Sequence, residues 1–200
     1  MNNYYIIELF YKNRNQELAV PMAKYMKNNF DFLGMKKPER MELSKEFIKE
    51  SKKAKEIDWE FIDKCFELPE REFQYLSITY MDAVKNLFTA DDMDKMGELI
   101  MTKSWWDSAD AISPIVGYIC MKYPHIKEEV IDKWIFSDNI WLKRVSILFQ
   151  LKYKGKTDTD FLSKAILNNS DTNEFFVDKA IGWALREYSK TNKEWVGNFI

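Results

Sequence analysis

The sequence predicts an all-α protein, an α-solenoid of antiparallel helix pairs. Three features carry this. Loop-forming residues are scarce, with six glycines and five prolines among 200 residues, and good helix formers such as Lys, Glu, Leu, Met and Ala abound. Helical segments follow one another with only short breaks. Large aromatic residues near the starts of long segments, Phe73, Trp106, Trp141 and Phe175, recur at intervals of 33 to 35 residues. That is the spacing of stacked helix pairs, each of which packs only on its neighbours and contributes one helix to a shared concave face.

The expected helices run in order over 16–30, 38–54, 58–67, 70–88, 91–102, 105–123, 125–136, 139–154, 158–168 and 174–190. Gly34 suits the exit from the first. Pro38, Pro69 and Pro124 suit first-turn positions, where a missing N–H is harmless. Ser104 is placed to cap the 105–123 helix, Ser137 or Asp138 the 139–154 helix, and Thr172 or Asn173 the last one. Gly155 suits the exit from 139–154. Pro114, inside the 105–123 pattern, predicts a kink or a split. The Glu70, Arg71 and Glu72 run reads as solvated charges in a first turn.

Composition, 46% apolar and 31% charged, indicates a compact fold and a single domain over 1–200. No apolar run approaches the ~18 residues needed to cross a bilayer. The amino-terminal stretch MNNYYIIELFYKNRNQE lacks a basic region followed by an apolar one, so no secretion signal is expected. Cys65 and Cys120 lie far apart without CxxC or Cys/His spacing, which predicts reduced, semi-buried thiols in a cytoplasmic protein. No metal site is expected. The one histidine, His125, follows Pro124 and reads as solvent-facing.

The net charge of −2 makes no global case for nucleic acid, but its distribution is uneven. Residues 1–140 hold 20 basic and 25 acidic side chains; residues 141–200 hold 10 and 7. Between Trp141 and Thr157 stand Lys143, Arg144, Lys152, Lys154 and Lys156 with no carboxylate. Such a stripe attracts an anionic backbone over about a Debye length, although a solvated helix face has the same composition.

The segment Ser104-Trp105-Trp106-Asp107-Ser108-Ala109-Asp110 is the densest in potential chemistry. Residues four apart share a helix face, so Trp106 and Asp110 project side by side. An aromatic plane beside a carboxylate suits a substrate that develops positive charge. Asp107 sits early enough to favour the helix N-terminus electrostatically. Trp105 turns away from Trp106 and reads as core, as do Trp59, Trp134, Trp141 and Trp195. Trp183 taken alone also reads as core.

Several stretches together resemble the HEAT-like-repeat bacterial alkylpurine DNA glycosylases of the AlkD type. They are PMAKYMKNNFDFLG (21–34), LPEREFQ (68–74), TKSWWDSAD (102–110), SDNIWLKRVSILFQLKYK (137–154) and KAIGWALREYSKTN (179–192). The resemblance implies a catalytic aspartate at Asp110, cleft-lining indoles at Trp106 and Trp183, and a DNA-backbone contact at Arg144. Tyr25 matches a position near the same cleft. Arg186, three residues after Trp183, and Lys152, eight after Arg144, are further candidates for phosphate contact.

The implied activity is hydrolysis of the N-glycosidic bond of cationic N3- or N7-alkylated purines in duplex DNA, as part of base excision repair. The lesion stays in the duplex, without an extruded-base pocket, and the enzyme is monofunctional. No cofactor is implied; the expected partner is double-stranded DNA containing alkylated purines, with no membrane and a monomeric protein. The family usually continues past the position where this chain stops, at Ile200, so a shortened last repeat is expected. The alternative is a non-catalytic solenoid that binds DNA or a protein partner.

Overall fold

The computed structural model describes residues 4–200; the first three residues, part of the stretch read above for a leader, lie outside it. Among the described residues there is no strand, only a single bridge between Asp31 and Glu70, and the all-helical fold class is as the sequence predicts. No helix there is long and apolar enough to cross a membrane. The chain divides into two compact units, Met1–Phe88 and Thr89–Ile200.

The first unit holds α1 (Tyr5–Lys12), α2 (Gln16–Tyr25), α3 (Lys37–Ser51), α4 (Trp59–Glu67) and α5 (Arg71–Ala83). Helix α1 escaped prediction because its aromatic and β-branched residues have modest helix propensity. It forms because Ile6, Ile7 and Phe10 share a buried face. Asn15 and Asp58 cap α2 and α4 through their side chains. Helix α2 stops at Tyr25, short of the expected residue 30, where Lys27 and Asn28 take positive φ. Gly34 is therefore no helix exit. Its φ is +90°, and a Cβ there would lie 1.9 Å from the Asn15 carbonyl oxygen, so the position requires glycine.

The reading of Arg71 and Glu72 as solvated is corrected: both are fully buried. The Glu72 carboxylate accepts from the N–H groups of Leu33, Gly34 and Met35, at 2.9 to 3.1 Å. The Arg71 guanidinium lies 4.0 Å from the centre of the Phe30 ring. A loop that carries three inward-facing amides needs a buried acceptor, and Glu72 supplies it.

The second unit holds α6 (Met93–Met101), α7 (Trp106–Lys122), α8 (Asp132–Ile135), α9 (Ile140–Leu148), α10 (Thr159–Leu167), α11 (Phe175–Tyr188) and α12 (Lys193–Phe199). A turn of π-helix, Lys127–Ile131, leads into α8. Helix α7 runs unbroken through Pro114, so of the expected kink or split the split does not occur. Ser104 does not cap it; its hydroxyl donates back to the Ile100 carbonyl. Asn139, not Ser137 or Asp138, caps α9 with its side chain, accepting from Trp141 and Leu142. Helix α9 ends at Leu148 rather than 154.

Helix α9 is central to this unit, packing against α6, α7, α8, α10 and α11. Trp141, Leu142 and all residues from Arg144 to Leu148 are buried, the pattern of a helix surrounded by others. On α7, Trp106, Asp110, Ser113 and Gly117 form one stripe by helical spacing, and Gly117 closes the contact with the residues that follow α9. A Cβ on Gly117 would lie 2.1 Å from the Phe149 carbonyl oxygen.

Gly117→Ala is accordingly expected to destabilise the protein by about 1–3 kcal/mol, the usual cost of forcing a methyl into a packed contact. Gly155→Ala, where nothing lies within 4 Å, should leave stability unchanged or slightly higher. Urea denaturation of both variants checks this, and equal midpoints would show that α7 and α9 do not depend on the close approach.

Candidate active site

Asp110 of α7 and Arg144 of α9 meet. Arg144 Nε donates to Asp110 Oδ1 at 2.7 Å and Nη2 donates to Oδ2 at 2.9 Å. Nη1 donates to the Phe176 carbonyl, on the first turn of α11. The Arg144 side chain is 6% exposed and that of Asp110 17%. The arginine is thus held among three helices, and the aspartate side chain keeps some contact with solvent.

The two parallel bonds are the arrangement that an ionised carboxylate adopts with a guanidinium. Burial pushes the Asp110 carboxyl above its ordinary value, Arg144 opposes this by hydrogen bonding and charge, and Asp107 adds a small upward push. Each carboxylate oxygen has two lone-pair directions. Arg144 occupies one on each, which leaves each oxygen able to accept from a water molecule. Arg144 likewise retains one N–H on each terminal nitrogen. The expectation that Arg144 simply faces a DNA backbone is therefore revised: most of the guanidinium is turned inward, because a cation on a buried helix needs partners there.

Trp106 lies one helical turn before Asp110 on the same face and is half-buried. Trp183 is half-buried on α11, seven residues after Phe176 and so on the same edge of that helix. Arg186 is exposed on α11. Lys152 is exposed, but the helical face it was assigned does not exist, since α9 ends four residues earlier. Its ammonium lies 3.7 Å from Glu187. Tyr25 belongs to the first unit, where it is 71% exposed at the end of α2.

A hollow of about 270 Å³ lies where α9 and α11 end, lined by Lys152, Lys154, Glu187 and Lys190 among others, and none of Asp110, Trp106 or Trp183 lines it. Its lysines pair with Glu187 or sit near helix C-termini, where cations are favoured for structural reasons. No group of three or more metal-ligating side chains occurs among the described residues. Burial pushes the thiols of Cys65 and Cys120 up, the latter to about 12, which makes both poor nucleophiles at neutral pH.

Sequence reasoning overlooked an aromatic cluster beside the ion pair. Trp105 packs on Trp141 and Phe176 at centroid distances of 5.7 and 5.1 Å, and Trp141 packs on Phe176 at 5.0 Å. These residues recur at intervals of 36 and 35. The signal was present in the aromatic periodicity, one residue away from Trp106 and Phe175.

The family model described as DNA alkylation repair enzyme matches residues 6–200. Among solved structures, the chain is similar to one titled predicted DNA alkylation repair enzyme from Enterococcus faecalis. The two are 35% identical with a TM-score of 0.87, and the match covers 94% of this chain and 88% of that one. No curated protein matches the chain.

Arg144→Ala is expected to cost about 3 kcal/mol of stability at neutral pH, near the lower end for breaking a buried ion pair, because Asp110 retains some solvent contact. Without the guanidinium, the Asp110 carboxyl titrates higher still. The folded state then holds that proton more tightly than the unfolded chain, so stability falls as pH rises through the interval between the two values. The deficit relative to the unsubstituted protein should shrink in acid. A deficit independent of pH in denaturation experiments would show that Asp110 carries no charge in the folded protein.

Proposed function

The chain belongs to the DNA alkylation repair enzyme family, and we propose that it is a monofunctional DNA glycosylase acting on cationic N3- and N7-alkylated purines in duplex DNA. The observation that supports this best is the Asp110 carboxylate, fixed on both oxygens by Arg144 while its side chain keeps partial contact with solvent.

The chemistry follows from the substrate. Alkylation at N3 or N7 makes the purine cationic and therefore a good leaving group. When the C1′–N bond breaks, its electron pair returns to the base and neutralises it, and positive charge appears on the sugar as an oxocarbenium ion. Asp110 supplies a preorganised negative charge at that centre. A water molecule hydrogen-bonded to the carboxylate adds its oxygen to C1′ and loses a proton to the carboxylate or to solvent, leaving an abasic site. Little general-acid help is needed, which agrees with roles assigned to no histidine.

Trp106 and Trp183 flank the lesion in this reading. Their indoles attract the cationic nucleotide, at about 0.5–2 kcal/mol for such a contact, and limit the access of water. Arg144, through the N–H groups that Asp110 and Phe176 leave unused, Arg186 and Lys152 hold phosphates and sugars, and Tyr25 of the first unit is a separate candidate for contact with DNA. The lesion then remains stacked, and selectivity comes from the weakness of the bond rather than from a pocket for the base.

Asp110→Asn is expected to abolish most release of 7-methylguanine from methylated duplex DNA while leaving DNA binding nearly intact, as followed by chromatography of free base. Wild-type rates in that variant would remove Asp110 from the mechanism. Arg186→Ala should reduce the salt dependence of DNA binding by about one unit of slope, and an unchanged slope would show that Arg186 does not touch phosphate.

A further inference from the structure

On the reading of Asp110 as the catalytic carboxylate, we propose that Phe176 is a positioning residue. Its main-chain carbonyl, seated by the indoles of Trp105 and Trp141, sets the angle at which Arg144 grips Asp110.

Two parallel hydrogen bonds join a guanidinium to a carboxylate as a flat plate. The plate as a whole still swings about the torsions of both side chains, and such a swing moves the Asp110 carboxylate. A third bond, from Nη1 to a point on another helix, removes that freedom. The Phe176 carbonyl is that point. It belongs to the second residue of α11, so its position depends on how the beginning of α11 is docked.

The aromatic cluster does the docking. Trp105 immediately precedes α7, Trp141 is the second residue of α9, and Phe176 is the second of α11. The three rings lie within 5.0 to 5.7 Å of one another. They therefore tie together the starts of the same three helices that supply Asp110, Arg144 and the carbonyl. Arg144 is one turn beyond Trp141, and Phe176 belongs to both clusters. Trp105 and Phe176 are only half-buried, and the adjacent Phe175 is 62% exposed. Aromatic burial at the start of α11 is thus selective for the residue whose carbonyl holds the arginine.

The Arg144 Nε–H resonance reports the grip directly and does not depend on catalysis. In Phe176→Ala, exchange of that proton with solvent should accelerate by about tenfold or more, as expected for a weakened charge-assisted bond. Single-turnover release of 7-methylguanine should fall on the order of 10²-fold, the cost of a small misplacement of a catalytic group, with DNA affinity little changed. Phe176→Tyr, which retains the ring, should restore both readouts. Should Phe176→Ala not fold, Phe176→Leu is measured in the same way. Wild-type protection of the Nε–H in a folded Phe176→Ala or Phe176→Leu protein overturns the positioning role. Faster exchange in that variant, combined with no base release by the unsubstituted protein, supports the clamp and refutes the glycosylase reading on which its catalytic meaning rests.

Discussion

A guanidinium on a helix surrounded by other helices is the constraint around which the second unit is arranged. Arg144 cannot stay charged in that position without partners, because an unpaired buried cation costs several kcal/mol. Its partners come from the helices on either side, the carboxylate from α7 and a main-chain carbonyl from α11. For these to reach it, α7 must approach the residues after α9 closely enough to require Gly117, and α11 must dock by its first turn. One side chain thereby ties together three helices, and its carboxylate partner keeps partial contact with solvent.

The same neighbour-to-neighbour logic runs through the unit. Polar contacts between its separate helices join residues about one repeat apart. Lys127–Asp158 spans 31 residues, Asp132–Lys164 spans 32, Asp110–Arg144 and Ile135–Asn169 span 34, and Gly117–Tyr153 spans 36. This is why a period read from four aromatic residues was informative: stacked repeats place equivalent positions against each other, and large rings mark those positions. It is also why the exact members could not be chosen from sequence. Trp105 and Trp106 are adjacent, and only the docking of α9 and α11 decides which of them enters the cluster.

Other misreadings have similar causes. Arg71 and Glu72 stand in the first turn of a helix, where charges are usually solvated, and nothing local reveals that residues 31–35 fold back and present three amides to Glu72. Lys152 was assigned to the face of Arg144 by counting along a helix that stops at Leu148. The basic stripe from Trp141 to Thr157 accordingly does not form one surface: Arg144 turns inward and Lys152 leans toward Glu187. What was legible was the helix content and most element positions. What was not legible were the partners that only tertiary docking supplies.

The pairing of Asp110 with Arg144 also bears on why a carboxylate can work here at all. A lone carboxylate, buried to this extent, would take up a proton and lose its charge. Burial already pushes the Asp110 carboxyl upward, and the guanidinium is the counterweight that favours the ionised form. The same guanidinium weakens the field of the carboxylate on the side it occupies. Because it makes one bond to each oxygen, it leaves a second lone pair on each that the guanidinium does not occupy. A point charge such as a lysine ammonium would neutralise the pair without imposing that orientation. On the proposed glycosylase reading, the fork geometry of arginine is what makes a buried, paired aspartate compatible with attraction for a cationic sugar.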